Sequence, residues 1–111
     1  MNATERKDGG VVTERKPEVK TTTKERVKHN PMYRVLIHND DVTTFQFVID
    51  VLVSIFKRES NEAVDIAMEA HKSGVALVVV LPLEVAELRV DQAKSKSRAA
   101  KYPLTFSYEP E

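Results

Sequence analysis

The alternation of hydrophobic and polar residues predicts three β-strands. In the segment MYRVLIH, Tyr33, Val35 and Ile37 fall on one face at a period of two, which is typical of a strand with one buried side. The segment VALVVVL, residues 75–81, is continuously apolar and rich in β-branched residues, so we expect it to be a central strand. The alternating segment LTFSY predicts a last strand near the C-terminus.

Between the first two strands, helical periodicity predicts two helices. The first extends from Thr44 to Lys57 and is apolar on nearly every side. One sheet face is not enough to cover such a helix, so either a second helix packs on it or a groove remains. We expect Thr43 to cap its N-terminus and Gln46 to complete a capping box.

The second helix is predicted over the segment SNEAVDIAMEAHKS. Ser60 or Asn61 is a suitable N-cap, and Gly74 stands where a left-handed residue ends a helix. The predicted apolar face consists mostly of small residues, which allow helices to approach closely: Ala63, Ile66, Ala67 and Ala70. His71 lies one turn beyond Ala67 on that side.

A third helix is predicted over residues 83–100, after Pro82, with Val85, Leu88 and Ala93 facing inward. The element order is therefore β-α-α-β-α-β. This order indicates an α+β fold, a small α/β sandwich in which a three-stranded antiparallel sheet packs against three helices.

The N-terminal residues differ in composition from the rest of the chain. Residues 1–30 contain no Ile, Leu, Phe, Tyr or Trp, and their eight Lys/Arg against five Asp/Glu give a net charge of +3. Such a segment buries too little apolar surface to offset its ordering entropy. We therefore expect residues 1–30 to form a disordered N-terminal extension and residues 31–111, with a net charge of −3, to form one core domain.

The composition of the whole chain argues against several classes of protein. The 17 basic and 17 acidic side chains balance, so no global charge attracts nucleic acid or a membrane surface. No apolar run approaches the ~18 residues of a membrane span, and the N-terminus lacks a signal-peptide core. There is no cysteine, which suits a reducing cytosol. We therefore expect a cytoplasmic protein.

The candidate chemistry lies in the segment IHNDDVTTFQFV, between the first strand and the first helix. Asn39, Asp40 and Asp41 are common turn residues, and taken alone they more often have a purely structural role. With Thr43 as the cap, however, both aspartates are surplus to helix capping. A metal site lacks further ligands at suitable spacing, and a catalytic acid–base pair lacks a nucleophile and an oxyanion donor.

The combination of these carboxylates with their neighbours indicates a ligand site. The polar loop adjoins a helix with surplus apolar surface, including Phe45 and Val48, which faces small residues and His71. The fitting ligand carries a cation next to a hydrophobic side chain. A free peptide N-terminus has this form, because its ammonium lies one carbon from the first side chain.

Several segments of the chain resemble the ClpS family: PMYRVLIHNDDVTTFQFVIDVL, the later pattern A...H..G.A.VVV, EVAE and a terminal YPL. ClpS proteins are adaptors that deliver N-end-rule substrates to the ATP-dependent Clp protease, and the resemblance covers about residues 31–108. It implies a non-enzymatic adaptor, expected to be a monomer without cofactor or metal, with the fold of the C-terminal domain of the bacterial ribosomal stalk protein. The implied partners are proteins with N-terminal Leu, Phe, Tyr or Trp and the N-terminal domain of a ClpA-like or ClpC-like ATPase.

The same resemblance implies roles for individual residues. The substrate α-amine would be held by Asn39, Asp40, Asp41 and His71. The side-chain pocket would be lined by Thr43, Phe45, Val48, Ala67, Ala70 and Leu104. Docking on the unfoldase would use Glu84 and Arg89. The family has an N-terminal extension that is needed for delivery into the unfoldase, and residues 1–30 resemble this delivery extension only in general character.

Three positions depart from the usual family pattern. Phe45 stands where the family has a gatekeeper methionine, Ala67 where many members have methionine, and Ala70 where many have valine. Because the rim residue is larger and the floor residues are smaller than is usual, the preference among Leu, Phe, Tyr and Trp as the first residue of the substrate stays open. The alternative function is a protein-docking module of the ribosomal-stalk-domain type, in which the pocket residues are only core and no amine is recognised.

Overall fold

The computed structural model describes residues 31–111, which form six regular elements. They are, in chain order, β1 (Met32–His38), α1 (Phe45–Ser54), α2 (Ser60–Ser73), β2 (Val75–Pro82), α3 (Leu83–Ala99) and β3 (Thr105–Pro110). The predicted order β-α-α-β-α-β and the antiparallel three-stranded sheet are confirmed. The extension expected at residues 1–30 lies outside the described residues.

The sheet order is β2-β1-β3, so β1 is the central strand. Val35 of β1 pairs with Val79 on one side and Tyr108 on the other. The expectation that residues 75–81 form the central strand is wrong. β2 lies at an edge, where Ala76 and Val78 are buried but Leu77 is 49% exposed. An apolar run specifies a strand, whereas its place in the sheet depends on long-range pairing.

The core lies where the helices meet the inward face of the sheet. Val35 and Ile37 of β1 and Val51 and Leu52 of α1 are fully or almost fully buried. α2 and α3 contribute mainly alanine to the core, which lets both helices approach the sheet closely. These residues are Ala63, Ala67, Ala70, Ala86 and Ala93. α2 covers part of α1, and α3 packs on all three strands. α1 therefore has the second helical neighbour that its sequence requires.

The ends of the first helix differ from the sequence expectation. Thr44, not Thr43, is the N-cap of α1, and its Oγ1 accepts a hydrogen bond from the Phe47 N–H at 3.1 Å. The helix ends at Ser54 instead of continuing to Lys57, which has a left-handed φ of 61°.

The second helix is preceded by Glu59 as its N-cap, one residue before the expected Ser60 or Asn61. The Glu62 carboxylate accepts a hydrogen bond from the Glu59 N–H at 3.3 Å, as in a capping box. At the other end Gly74 has a φ of 88°, so the predicted left-handed stop is confirmed.

In α3 the expected inward position of Leu88 is wrong. Its side chain is 53% exposed, while Ala86 and Ala93 are fully buried against the sheet. Helical periodicity alone does not identify which of two adjacent faces of a helix packs on the sheet when both faces contain apolar residues. Within residues 31–111, no helix is long and apolar enough to cross a membrane.

Candidate functional site

The loop between β1 and α1 is shaped by the carboxylate of Asp40. Its Oδ1 accepts hydrogen bonds from the Val42 N–H at 2.8 Å and the Thr43 N–H at 2.6 Å. Its Oδ2 accepts a bond from the Thr43 hydroxyl at 2.8 Å. Asp40 therefore fixes the loop that precedes α1, and Thr43 is occupied as its donor while Thr44 caps the helix. A carboxylate offers about four lone-pair directions, so one direction remains for a ligand.

Asp40 stays ionised in this environment. Partial burial opposes its charged form, but the hydrogen bonds from Thr43 and Val42 and the positive charge of Arg98 outweigh that effect. The net result is a pKa of the Asp40 carboxyl below its ordinary value. The loop thus presents a fixed negative charge, beside the exposed carboxylate of Asp41.

A main-chain hydrogen bond joins this loop to the end of α2. The Asn39 N–H donates to the Gly74 carbonyl at 2.9 Å. Because Gly74 directly follows α2, the last turn of that helix, which carries His71, lies next to Asn39 and the aspartates. The polar side chains therefore come from two segments that are about 30 residues apart in the chain. Each segment lies within a few residues of this backbone hydrogen bond.

A cavity of about 510 Å³ opens between this polar rim and the helices. The ten residues expected at the amine and side-chain sites all line it: Asn39, Asp40, Asp41, Thr43, Phe45, Val48, Ala67, Ala70, His71 and Leu104. The structure brings these residues together from the β1–α1 loop, α1, α2 and the segment before β3. Acceptor groups therefore adjoin apolar surface in a cavity whose volume is typical of a small-ligand pocket.

The walls of the cavity differ in how firmly they are packed. Ala67, Ala70 and Leu104 are 3%, 3% and 1% exposed, so they form a fixed floor. Phe45 and Met68 are 42% and 48% exposed and stand at the mouth. The narrow alanine side chains leave room in the floor, and the two larger side chains can adjust at the entrance.

Three lining residues were missed by sequence reasoning: Ile37, His38 and Met68. Ile37 could have been found, since it precedes the polar loop on the buried face of β1. Met68 carried no signal, because the helical pattern marks its neighbour Ala67 as the inward residue. His38 is fixed by a hydrogen bond between its Nε2 and the Ser107 Oγ at 2.7 Å, a pairing that only the strand register reveals.

The arrangement suits recognition of a small cationic group attached to an apolar one. The loop offers carboxylate and amide oxygens, and the floor offers buried apolar surface. Across the described part of the chain, no group of three or more His, Cys, Asp or Glu side chains is placed to hold a metal ion.

The two residues expected at the unfoldase contact lie on α3, away from this cavity. Glu84 is exposed in the first turn of α3, and Arg89 is half-buried further along. Glu84 borders an open groove together with Glu87, Leu88, Asp91 and Tyr108, whereas Arg89 does not line that groove.

Comparison with known proteins identifies a family. The family model described as "ATP-dependent Clp protease adaptor protein ClpS" matches residues 28–107. The ATP-dependent Clp protease adapter protein ClpS of Myxococcus xanthus is 36% identical over 104 residues, 94% of this chain and 92% of that protein. The protein of the same description from Maricaulis maris is 37% identical over 108 residues, 97% of this chain and 99% of the relative.

A solved structure agrees with the sequence matches. It is described as Agrobacterium tumefaciens ClpS2 bound to L-phenylalaninamide, with a TM-score of 0.71 and 35% sequence identity. The match covers 74% of this chain and 99% of that one. The fold and the sequence matches thus define a protein of the adaptor class. The chain belongs to the ClpS family of Clp protease adaptors.

Proposed function

We propose that this chain binds the free N-terminus of proteins that begin with Leu, Phe, Tyr or Trp and delivers them to a Clp ATPase unfoldase. The observation that carries the proposal is the cavity itself, in which polar acceptors at one rim adjoin a buried apolar floor. In this role the protein recognises and transfers its ligand without chemical change.

The rim is suited to an ammonium group. Asp40 is held ionised with one acceptor direction left, and Asn39, Asp41 and His71 border the same space. Charge-assisted hydrogen bonds of this kind contribute about 1.5–3 kcal/mol each when well formed. His71 accepts only in its neutral form, with one ring nitrogen unprotonated.

The floor is suited to a large apolar side chain. Burying a Leu or Phe side chain between Val48, Ala70 and Leu104 contributes about 1.5–3 kcal/mol. Together with the rim, and after the cost of association, this supports an affinity in the low-micromolar range, near −8 kcal/mol. Agrobacterium ClpS2, 35% identical to this chain, binds L-phenylalaninamide, which carries both a free α-amine and a phenylalanine side chain.

Delivery requires a second surface, which we place on α3. Glu84 and Arg89 would contact the N-terminal domain of a ClpA-like or ClpC-like ATPase, and residues 1–30 would serve as the delivery extension. Because the cavity and α3 are separate surfaces, substrate and unfoldase can bind together. We place the protein in a bacterial cytoplasm as a monomer, on the grounds that its relatives are bacterial Clp protease adaptors.

Two assays test the proposal. Peptides that differ only in their first residue should bind when it is Leu, Phe, Tyr or Trp and should not bind when it is Ser or Lys. A folded reporter that begins with Leu should be degraded faster by a Clp unfoldase and protease when this protein is added, and Glu84→Ala with Arg89→Ala should remove the stimulation without changing peptide affinity. Equal binding of all peptides would instead favour a docking module of the stalk-domain type.

A further inference from the structure

The segment between α3 and β3 is held by the side chain of Arg98. One guanidinium nitrogen, Nη1, donates to the Tyr102 carbonyl at 2.9 Å and to the Leu104 carbonyl at 3.0 Å. The N–H groups of the same segment are bonded to the end of the helix, Lys101 to the Arg98 carbonyl and Tyr102 to the Ser97 carbonyl. Arg98 therefore supplies the donors that the turn itself lacks.

This turn determines where Leu104 lies. Lys101 has a left-handed φ of 66°, a conformation that a lysine adopts only when its surroundings fix it. Leu104 follows three residues later, is 1% exposed and forms part of the cavity floor. If this turn relaxed, Leu104 would move, and with it a buried part of the cavity floor.

The positive charge of the same guanidinium also acts on Asp40 at the polar rim. Burial tends to raise the pKa of the Asp40 carboxyl, and the bonds from Thr43 and Val42 together with the charge of Arg98 lower it below its ordinary value. The other titratable side chains that line the cavity beside Asp40 are His38 of β1, Asp41 of the loop and His71 of α2. Arg98 thus bonds the backbone that carries Leu104 of the cavity floor, and it contributes positive charge that favours the ionised form of Asp40 at the rim.

We propose that Arg98 is a positioning residue for ligand recognition, which holds Leu104 in the cavity floor through two carbonyl bonds and places a positive charge near Asp40 at the rim. The inference rests on the proposed function of the cavity, because it assigns Arg98 a role in binding the same ligand. Arg98 itself does not line the cavity and touches no ligand in this role.

Two substitutions separate the positioning role from the charge. Arg98→Gln removes the cation and at least one carbonyl bond. Arg98→Lys keeps the charge, but its Nζ lies one bond closer to the backbone than the Nη1 that bonds both carbonyls, so both bonds should lengthen and weaken. Lys94→Gln is the matched control, since it removes one positive charge from an exposed position of the same helix.

The first readout is the titration of the Asp40 carboxyl carbon by NMR, which resolves it from Asp41 and needs no peptide. The midpoint should move upward in Arg98→Gln and stay near the wild-type value in Arg98→Lys and Lys94→Gln. The second is the affinity for a Leu-initiated peptide, measured on protein shown to be folded. It should fall about ten-fold in Arg98→Gln and also fall in Arg98→Lys, because the carbonyl bonds are weakened.

Wild-type affinity in both Arg98 variants, or an unmoved Asp40 midpoint in Arg98→Gln, would overturn the inference. If Arg98→Gln does not fold, Arg98→Lys decides, since unchanged peptide affinity in that variant contradicts the positioning role. Absence of peptide binding by the wild-type protein would mean a failure of the proposed function. The NMR midpoints would still test the link between Arg98 and Asp40, so the two failures are distinguishable.

Discussion

The N–H of Asn39 and the carbonyl of Gly74 are joined by a hydrogen bond of 2.9 Å, so the loop that leaves β1 is attached to the residue that ends α2. Gly74 turns the chain at a φ of 88° between α2 and β2. The left-handed turn therefore holds together the two parts of the chain that carry Asn39 and His71. A backbone feature of the fold thus assembles the polar end of the cavity.

Gly74→Ala should lower the free energy of unfolding by about 1 kcal/mol, because an L side chain is strained at positive φ. No atom beyond Gly74 and its two chain neighbours lies within 4 Å of the added Cβ, so a clash with the rest of the fold contributes nothing. Gly74→Asn should cost less, since asparagine tolerates this conformation better. Chemical denaturation measures both values, and an alanine variant as stable as the wild type would contradict the strain.

Thr44→Ala should lower the free energy of unfolding by about 1 kcal/mol through loss of the α1 N-cap. Thr44→Ser keeps the oxygen that accepts the Phe47 N–H and should retain most of the stability. The comparison is made by denaturant titration of the two variants. Equal losses in both would show that the hydroxyl of Thr44 is not the cap.

The mistaken choice between Thr43 and Thr44 shows where sequence reasoning stops. Thr43 fits the capping box better than Thr44, because Gln46 rather than Phe47 stands three residues later. The structure nevertheless uses Thr44, since the N–H and hydroxyl of Thr43 are bonded to Asp40. The strands and helices themselves could be predicted, because periodicity reports on which faces are buried. The edge position of β2 could not, since it depends on pairing between distant segments.

The site was predictable to a similar extent. The ten expected lining residues were available because the loop motif resembles that of one family, which indicates the pocket positions even where the residue differs, as at Ala67 and Ala70. All ten border one cavity. Met68 was not predictable, because its place at the mouth depends on how α2 is rotated against α1. Arg98 was also missed, since a basic residue at a helix C-terminus is already accounted for by the helix dipole.

Ala67→Met should narrow the floor of the cavity and weaken binding of Trp- and Phe-initiated peptides more than that of Leu-initiated ones. Overpacking of a buried site costs about 1–3 kcal/mol, which corresponds to about a 5- to 160-fold loss of affinity for the bulkiest side chains. Val64→Met, on an exposed position of α2 outside the cavity, is the control. A fluorescence anisotropy series across first residues measures the change, and equal losses for all peptides would exclude Ala67 as a determinant of pocket size.

Acid should destabilise the protein partly through Asp40. Its folded-state pKa lies below the ordinary value of 3.8, so its contribution to stability is present above that value and is lost as the pH falls through the folded-state pKa. Asp40→Asn should be less stable than the wild type at neutral pH, and the difference should shrink in strong acid. Denaturation curves recorded across this range test the prediction, which a difference independent of pH would contradict.

The most direct test of the central claim compares a Leu-initiated peptide with its N-acetylated twin. The two share every side chain and differ in the ammonium group, which the rim of Asn39, Asp40, Asp41 and His71 is proposed to hold. The free peptide should bind in the low-micromolar range, whereas the acetylated peptide should bind at least 100-fold more weakly, because the rim acceptors are left unpaired. Equal affinity of the two peptides would contradict recognition of a free N-terminus by this cavity.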